Sequence, residues 1–444
     1  MRQTLLRSLI GLAIPIVMAD LGWISMGIVD TMMVGRIAGN PATAIAAVSI
    51  SSIFLSTIAA LGSGLMLGLD PLIARAFGAG DHEECREWLR MGLHLTLAVT
   101  PVLTAVLWLC VPMFRLFGYE AALLHEIARF LHALVWSMPP LIVYMAFRRY
   151  LQATNRARPI TFALITANLV NAGGNWILIY GNLGAPAMGS RGSAWSTVAA
   201  RTYMAAVLIA YAWVAERWRI ADLGRRWFVP ELARLRKLVG LGFPAAAQIA
   251  FEIGVFAMAG ALMGKLGSVM LAAHQIILHT TATTFMVTIG IGSAAAVRVG
   301  QSFGRGEPRE AARFGWTAIV LSMAFMIVCS FLIVAFPRAI GRVFTTDAAV
   351  IEAAVPLLAI GAFFQIFDGI QSSAMGALRG AGDTRTPMLC HMIGYWAVGL
   401  PAGYALCFAA GWRARGMWTG LCIAVVLVAS VQVWIWSRKA ARFR

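Results

Sequence analysis

The sequence predicts an all-α integral membrane protein with twelve transmembrane helices, organised as two six-helix lobes that repeat one another in parallel. Three observations carry this. Of 444 residues, 60% are hydrophobic and only 12% are charged, with mean hydropathy +0.78, whereas a soluble globular chain is about 25% charged. Twelve apolar runs can be marked, each near the length of about 20 residues that a helix needs to cross a bilayer. Three short segments also recur in the same order and at similar separations in the two halves of the chain.

In order, the runs lie near residues 9–34, 44–69, 91–114, 123–147, 160–180, 193–215, 239–264, 274–296, 314–337, 350–376, 388–410 and 416–436. An even number of spans puts both termini on one side. That side collects about 26 lysines and arginines against about 8 on the other, so both termini are expected in the cytoplasm and the protein in a bacterial-type inner membrane. The largest contribution is the stretch after the sixth run, with Arg217, Arg219, Arg225, Arg226, Arg234, Arg236 and Lys237. It divides the chain into an N-terminal lobe (1–220), a basic cytoplasmic connector (221–238) and a C-terminal lobe (239–444).

The net charge of +17 is therefore read as loop charge facing the cytoplasm, with no nucleic acid implied. Six cysteines without a CxxC pair indicate neither a disulfide framework nor a metal site. The first run is too long for a signal-peptide core, contains Asp20 and Asp30, and is expected to be retained. No HExxH, GxSxG, CxxC or P-loop motif points to an enzyme.

The repeat is explicit. SLIGLAIP (Ser8 to Pro15) matches KLVGLGFP (Lys237 to Pro244), FGAGDHEE (Phe77 to Glu84) matches FGRGEPRE (Phe303 to Glu310), and LQATNRARP (Leu151 to Pro159) matches LRGAGDTRTP (Leu378 to Pro387) with one insertion. Six spans per half make the repeats parallel, with a site expected in or between the lobes that is alternately exposed. Pro15 and Pro244 occupy matched positions in the first span of each lobe, where each removes a helix hydrogen bond and bends the helix.

Carboxylates inside such runs mark ion or substrate paths, because an ionised group in hydrocarbon needs a protein interior, water or a partner. Glu252 lies about a dozen residues from either end of the seventh run, roughly 19 Å from the cytoplasmic end, and Asp368 in the tenth lies roughly 12 Å from it. Gln248 precedes Glu252 by one turn, while Gln365 and Gln371 flank Asp368 at three residues on either side, all placed to hydrogen-bond. The eighth run adds Gln275, His279, Thr280, Thr283 and Thr284. Phe251, Phe256, Phe364, Phe367, Tyr395 and Trp396 offer ring faces to flat cations. In the first lobe Asn168, Asn171 and Asn175 form one helical stripe, suited either to gluing helices or to lining a cation path. Asp20 and Asp30 lie about 80° apart around the first helix, so either acid is able to face the path while the other pairs elsewhere. Arg129 and Arg201 are the basic residues expected within spans, natural partners for an acid.

Taken together, VDTMMVG in the first run, FGAG and FGRG after the second and eighth, LQATNRARP after the fourth, FEIGVFAMAGALMGKLG in the seventh and ALRGAGDTRTP after the tenth make the chain resemble the multidrug and toxic compound extrusion (MATE) family, in its NorM-like branch. The resemblance covers essentially the whole chain. It implies a secondary antiporter exporting cationic amphiphilic compounds in exchange for Na+ or H+, with no other cofactor. Carried over by position, it implies cation-binding roles for Asp30, Glu252 and Asp368, with bound Na+ at the latter two. Asp20 is an addition to the usual pattern. The alternative is a lipid-linked oligosaccharide flippase of related architecture, but handling pyrophosphate calls for arginines in the cavity, and here acids outnumber bases within the spans.

Overall fold

The computed structural model describes residues 2–37, 41–114, 118, 120–216 and 229–442. Arg217, Arg219, Arg225 and Arg226 lie outside the described residues. The order is α1 (Arg2–Val34), α2 (Pro41–Met66), α3 (Leu69–Gly78), α4 (His82–Met113), α5 (Ala121–Leu134), α6 (Met138–Ala153), α7 (Arg158–Tyr180), α8 (Ser190–Ala215), α9 (Leu232–Gly264), α10 (Ser268–Gly304), α11 (Pro308–Ala335), α12 (Pro337–Phe344), α13 (Ala348–Gly380), α14 (Arg385–His391), α15 (Leu400–Tyr404) and α16 (Arg413–Ala441). Twelve spans among the described residues are long and apolar enough to cross a membrane. The chain is a multi-pass membrane protein.

Several spans are interrupted at residues that explain the interruption. The fourth joins α5 to α6 through a 3-10 turn, Val135–Ser137, just before Pro139 and Pro140, whose missing N–H groups are tolerated only in a first helical turn. The eleventh, Arg385–Ala409, passes from α14 into a π-helical segment, Met392–Gly399, then α15, then a second π segment, Ala405–Ala409. Such wide turns appear where a side chain must be re-aimed, often at functional sites. By contrast α1 and α9 run unbroken through Pro15 and Pro244.

The sequence repeat reappears as backbone geometry. Asn155 (φ 62°) and Gly382 (φ 84°) take the left-handed conformation at corresponding places after α6 and α13. In each, an N–H reaches back five residues, Arg156 to the Leu151 carbonyl and Asp383 to that of Leu378, closing the helix end. Asparagine is the commonest residue to replace glycine there. Gly80 and Gly306 form the second matched pair.

The helices form two compact units. One comprises residues 1–17, 70–81 and 243–444; the other comprises 18–69 and 82–242. These boundaries differ from the lobes expected at 1–220 and 239–444, because α1 and α9 each change unit within three residues of Pro15 or Pro244. In the first unit, the missing side chains of Gly78 and Gly304 let α3 and α10 touch reciprocally: a Cβ on Gly78 would lie 2.1 Å from the Gln301 carbonyl, and one on Gly304 equally close to that of Arg75. In the second unit, a Cβ on Gly242 would lie 2.2 Å from the Leu65 carbonyl. For α3 and the start of α9, these are backbone contacts that only glycine permits.

Candidate functional site

In the unit that carries α13, the packing of α10 fixes the depth and facing of Asp368. Gly292 lies against the Ser372 carbonyl, Gly376 against Gly292 and Gly380 against Ala296, so the two backbones approach at successive turns. Small residues at such spacing substitute close contact for the hydrophobic drive that lipid does not supply. Asp368, one turn earlier on α13, is consequently buried.

Glu252 on α9 lies within electrostatic reach of Asp368. Gln248 donates its Nε2–H to Glu252 Oε2 at 2.8 Å. His391, at the end of α14 and fully buried, stands between the two acid-bearing helices. Its Nδ1 lies 2.8 Å from the Pro387 carbonyl, while its Nε2 faces Gln248 Nε2 at 3.3 Å and Gln371 Nε2 at 3.2 Å. Glu252 Oε2 is 3.7 Å from the same ring nitrogen, beyond a hydrogen bond. Tyr395 Oη donates to Gln371 Oε1 at 3.1 Å. The π turns hold that segment to α9: Trp396 Nε1 donates to the Phe251 carbonyl at 3.0 Å, and its ring fills the space over Gly254. Phe256 packs edge-on against Phe364 and at a tilt against Tyr395.

Other expected members are engaged elsewhere. Gln365 bolts α13 to its neighbours, accepting from Thr284 Oγ1 at 2.8 Å and donating to Ser330 Oγ at 2.9 Å. Gln275 and His279 are exposed, and His279 stacks on Phe344 rather than joining the acids. Their helical spacing gave the right element but not its rotation. Phe367 packs against Phe363.

In the other unit α7 meets α8 through Gly174 on Ser196 and Gly192 on the Leu178 carbonyl. That contact levels Asn175 with Thr197, and both meet Asp30: Asn175 Nδ2 reaches Oδ1 at 2.7 Å and Thr197 Oγ1 reaches Oδ2 at 3.2 Å. Asn171 accepts from Asn175 at 3.3 Å. Arg201 exerts its charge on Asp30 while donating to Ser137 Oγ at 2.7 Å and lying over the Trp23 ring. The asparagine stripe is thus split, since Asn168 donates to the carbonyls of Gly22 and Leu164 and acts as glue.

Asp20 belongs to neither cluster. It is ion-paired to Arg148 at 2.5 Å with both side chains largely buried. The expectation that only Arg129 and Arg201 lie within spans is corrected here: α6 continues to Ala153 and carries Arg148 and Arg149 inward, whereas Arg129 is exposed and sits 3.9 Å from Glu126. The apolar run ended at 147, one residue short of the partner. His391 was also missed, although a histidine one turn before Tyr395 in an apolar run was a readable signal.

Three comparisons bear on this chain. The MatE family model matches the chain twice, over residues 15–177 and 244–405. The chain belongs to the MATE family. Both matches begin at the paired prolines, so the internal repeat is the family's own unit. Among curated relatives, a probable multidrug resistance protein NorM of Mesorhizobium japonicum is 35% identical over 98% of this chain and 94% of its own length. The multidrug resistance protein PmpM of Pseudomonas aeruginosa is 32% identical over 99% and 92%. Among solved structures, the eukaryotic MATE transporter AtDTX14 superposes with TM-score 0.87 at 20% identity, covering 100% of this chain and 99% of that one. A MOP-superfamily transporter of Pyrococcus furiosus, described as having a binding pocket of reversed polarity that suggests a different function, superposes with TM-score 0.84 at 16% identity, covering 99% and 96%. These structural likenesses concern the fold.

Proposed function

We propose that this MATE-family chain is a secondary active multidrug efflux antiporter, exporting organic cations in exchange for Na+ or H+ by alternating access. One observation carries the reading: among the described residues no lysine or arginine pairs with Glu252 or Asp368, so two neighbouring acids, Asp368 buried and Glu252 partly buried, have no cationic side chain to balance them. Buried like charges need a counter-cation, and a proton, a sodium ion or an organic cation each supplies one. Hard oxygen donors suit Na+ as well as H+. Where the coupling ion and the exported cation compete for the same acids, exchange follows. Asp30, with Asn171, Asn175 and Thr197, is the corresponding ion site of the other unit.

The relatives' names support multidrug export, and the acidic character of the buried site disfavours the flippase alternative, which would place guanidinium groups against a pyrophosphate. A shared fold does not decide this, because polarity differs between transporters of this architecture. The protein is assigned to the inner membrane with both termini cytoplasmic. The deciding experiment is transport of ethidium by purified protein in proteoliposomes with sodium and pH gradients imposed separately. Counter-transport driven by either gradient is expected; ethidium movement indifferent to both would remove the antiporter reading.

A further inference from the structure

We propose that His391 is a positioning residue for the acidic site, a neutral imidazole of fixed tautomer that sets the direction of the Gln248 and Gln371 amides and thereby the hydrogen bond to Glu252. The inference rests on the antiporter reading of that site.

The argument is an inventory of protons. A carbonyl oxygen only accepts, so the 2.8 Å contact to Pro387 requires the hydrogen on Nδ1. In the neutral ring Nε2 is then bare and accepts. Both groups facing it are amide nitrogens, Gln248 Nε2 at 3.3 Å and Gln371 Nε2 at 3.2 Å. Turning either amide over would set its carbonyl oxygen against a lone pair. The ring therefore selects one orientation for each amide. For Gln248, that orientation leaves its second N–H pointing at Glu252 Oε2, 2.8 Å away. For Gln371, it leaves Oε1 as the acceptor for the Tyr395 hydroxyl. A neutral ring also accounts for Glu252 standing 3.7 Å off Nε2, since an imidazolium would draw the carboxylate into contact.

Charged and titratable groups reach this layer from several elements. Glu252 comes from α9, Asp368 from α13, Cys422 from α16 and Tyr395 from His391's own span. From α10 comes the neutral hydroxyl of Thr284, held by Gln365. The two acids are the groups whose charge changes when a cation enters. His391 keeps an N–H donor beside one of them, favouring the ionised carboxylate that an organic cation needs. Its ring is anchored in helical backbone immediately before the π turns, so its direction is set by the fold.

The test uses full-length protein in lipid nanodiscs and binding of tetraphenylphosphonium, whose charge does not titrate, between pH 5 and 9 at fixed sodium. His391→Phe retains a ring but offers no acceptor. It is expected to weaken binding about tenfold, the worth of one hydrogen bond to a charged group, and to move the half-point of the pH profile upward. His391→Gln restores an acceptor near the Nε2 position and is expected to return both affinity and half-point to within about twofold of wild type. In wild-type protein with 15N-labelled histidine, the resonances absent from His391→Gln should report the Nδ1–H neutral tautomer from pH 5 to 8, with and without the cation. That measurement needs no disruptive variant. A wild-type profile for His391→Phe, a His391→Gln variant as impaired as His391→Phe, or an imidazolium spectrum within that range would each overturn the proposal, the last two by making the ring a proton carrier. Glu252→Gln separates the two readings: if it binds like wild type the acidic site itself is wrong, and if it alone loses binding only the positioning role falls.

Discussion

The Asp30 cluster and the Glu252–Asp368 cluster occupy two copies of one repeat, yet they are solved differently. With Pro15 set opposite Pro244, Glu252 falls opposite Trp23 and Asp30 opposite Ala259. The backbone was duplicated and the chemistry was not. Asp30 is a single acid whose two oxygens both meet side-chain donors, with an arginine adding its charge. Glu252 and Asp368 are two acids with an amide donor on one of them and a neutral histidine behind it. The first surrounds one carboxylate with protein donors and an arginine's charge, whereas among the described residues the second has no lysine or arginine paired with either acid. A duplicated membrane fold thus carries acids at different positions of the repeat, seven residues apart in register, and gives each its own set of partners.

The comparison excludes Asp20, and the largest expected effect tests that exclusion. Asp20→Asn removes the carboxylate that is ion-paired with a buried arginine and should lower stability by about 3 kcal/mol, while transport per folded molecule is unchanged. Asp20→Leu combined with Arg148→Met should recover most of the loss, because the pair is then replaced by apolar contact. Thermal unfolding in detergent alongside ethidium transport in proteoliposomes measures both. If Asp20→Asn abolishes transport in fully stable protein, a third site must be added.

Next in size is the contrast between the clusters themselves. Glu252→Gln and Asp368→Asn each remove one negative charge with near-isosteric amides and should weaken ethidium binding at least about tenfold. Asp30→Asn should leave binding within about twofold, the effect expected of a substitution outside the binding cluster, but blunt the dependence of transport on the driving gradient. Equal losses for all three variants in equilibrium binding would erase the distinction drawn between the units.

The smallest effect comes from a second asymmetry between the repeats. After α6, Arg156 pairs with Glu216 at the end of α8; at the corresponding place after α13, Asp383 pairs with Lys439 near the end of α16 at 2.5 Å. The latch is kept and its charges are exchanged. Burial pushes the Asp383 carboxyl up, but hydrogen bonds from Lys439 and from the Thr386 amide and hydroxyl outweigh it and hold the group below its ordinary value of 3.8. A carboxylate depressed in the folded state contributes stability above its unfolded value, and that contribution is lost as pH falls through the folded one. Asp383→Asn should therefore cost less than about 1 kcal/mol near pH 7, with the difference from wild type shrinking as pH falls below about 4. A difference that persists unchanged at pH 3 would assign the effect to packing instead.

How much could be read beforehand varies by residue. Asp30, Glu252 and Asp368 were legible because a lone acid in an apolar run is costly, and Gln248 because a helix brings positions four apart together. Gln365 and Gln371 were equally well placed by spacing. Only the second faces the acid layer through His391, because spacing fixes a residue's position on its own helix and leaves open which neighbour that face meets. Gln275 and His279 failed for the same reason. Arg148 was lost to a boundary: hydropathy is averaged over a window of about 20 residues, and one position at its edge decided whether Asp20 had a partner.

The sequence by itself determined the membrane class, the number of spans, the repeat and its turns, since these rest on length, apolar content and backbone rules that act within a few residues. The tertiary structure alone decided that α1 and α9 change units near their prolines, that Asp20 is tied to Arg148, and that a histidine 139 positions after Glu252 directs the amide beside it. Those outcomes depend on how helices rotate and approach, with each residue turning the contact by about 100°. In this protein the approach is set by glycine contacts such as Gly376 on Gly292 and Gly174 on Ser196, which place the acids among their donors only once the helices have packed.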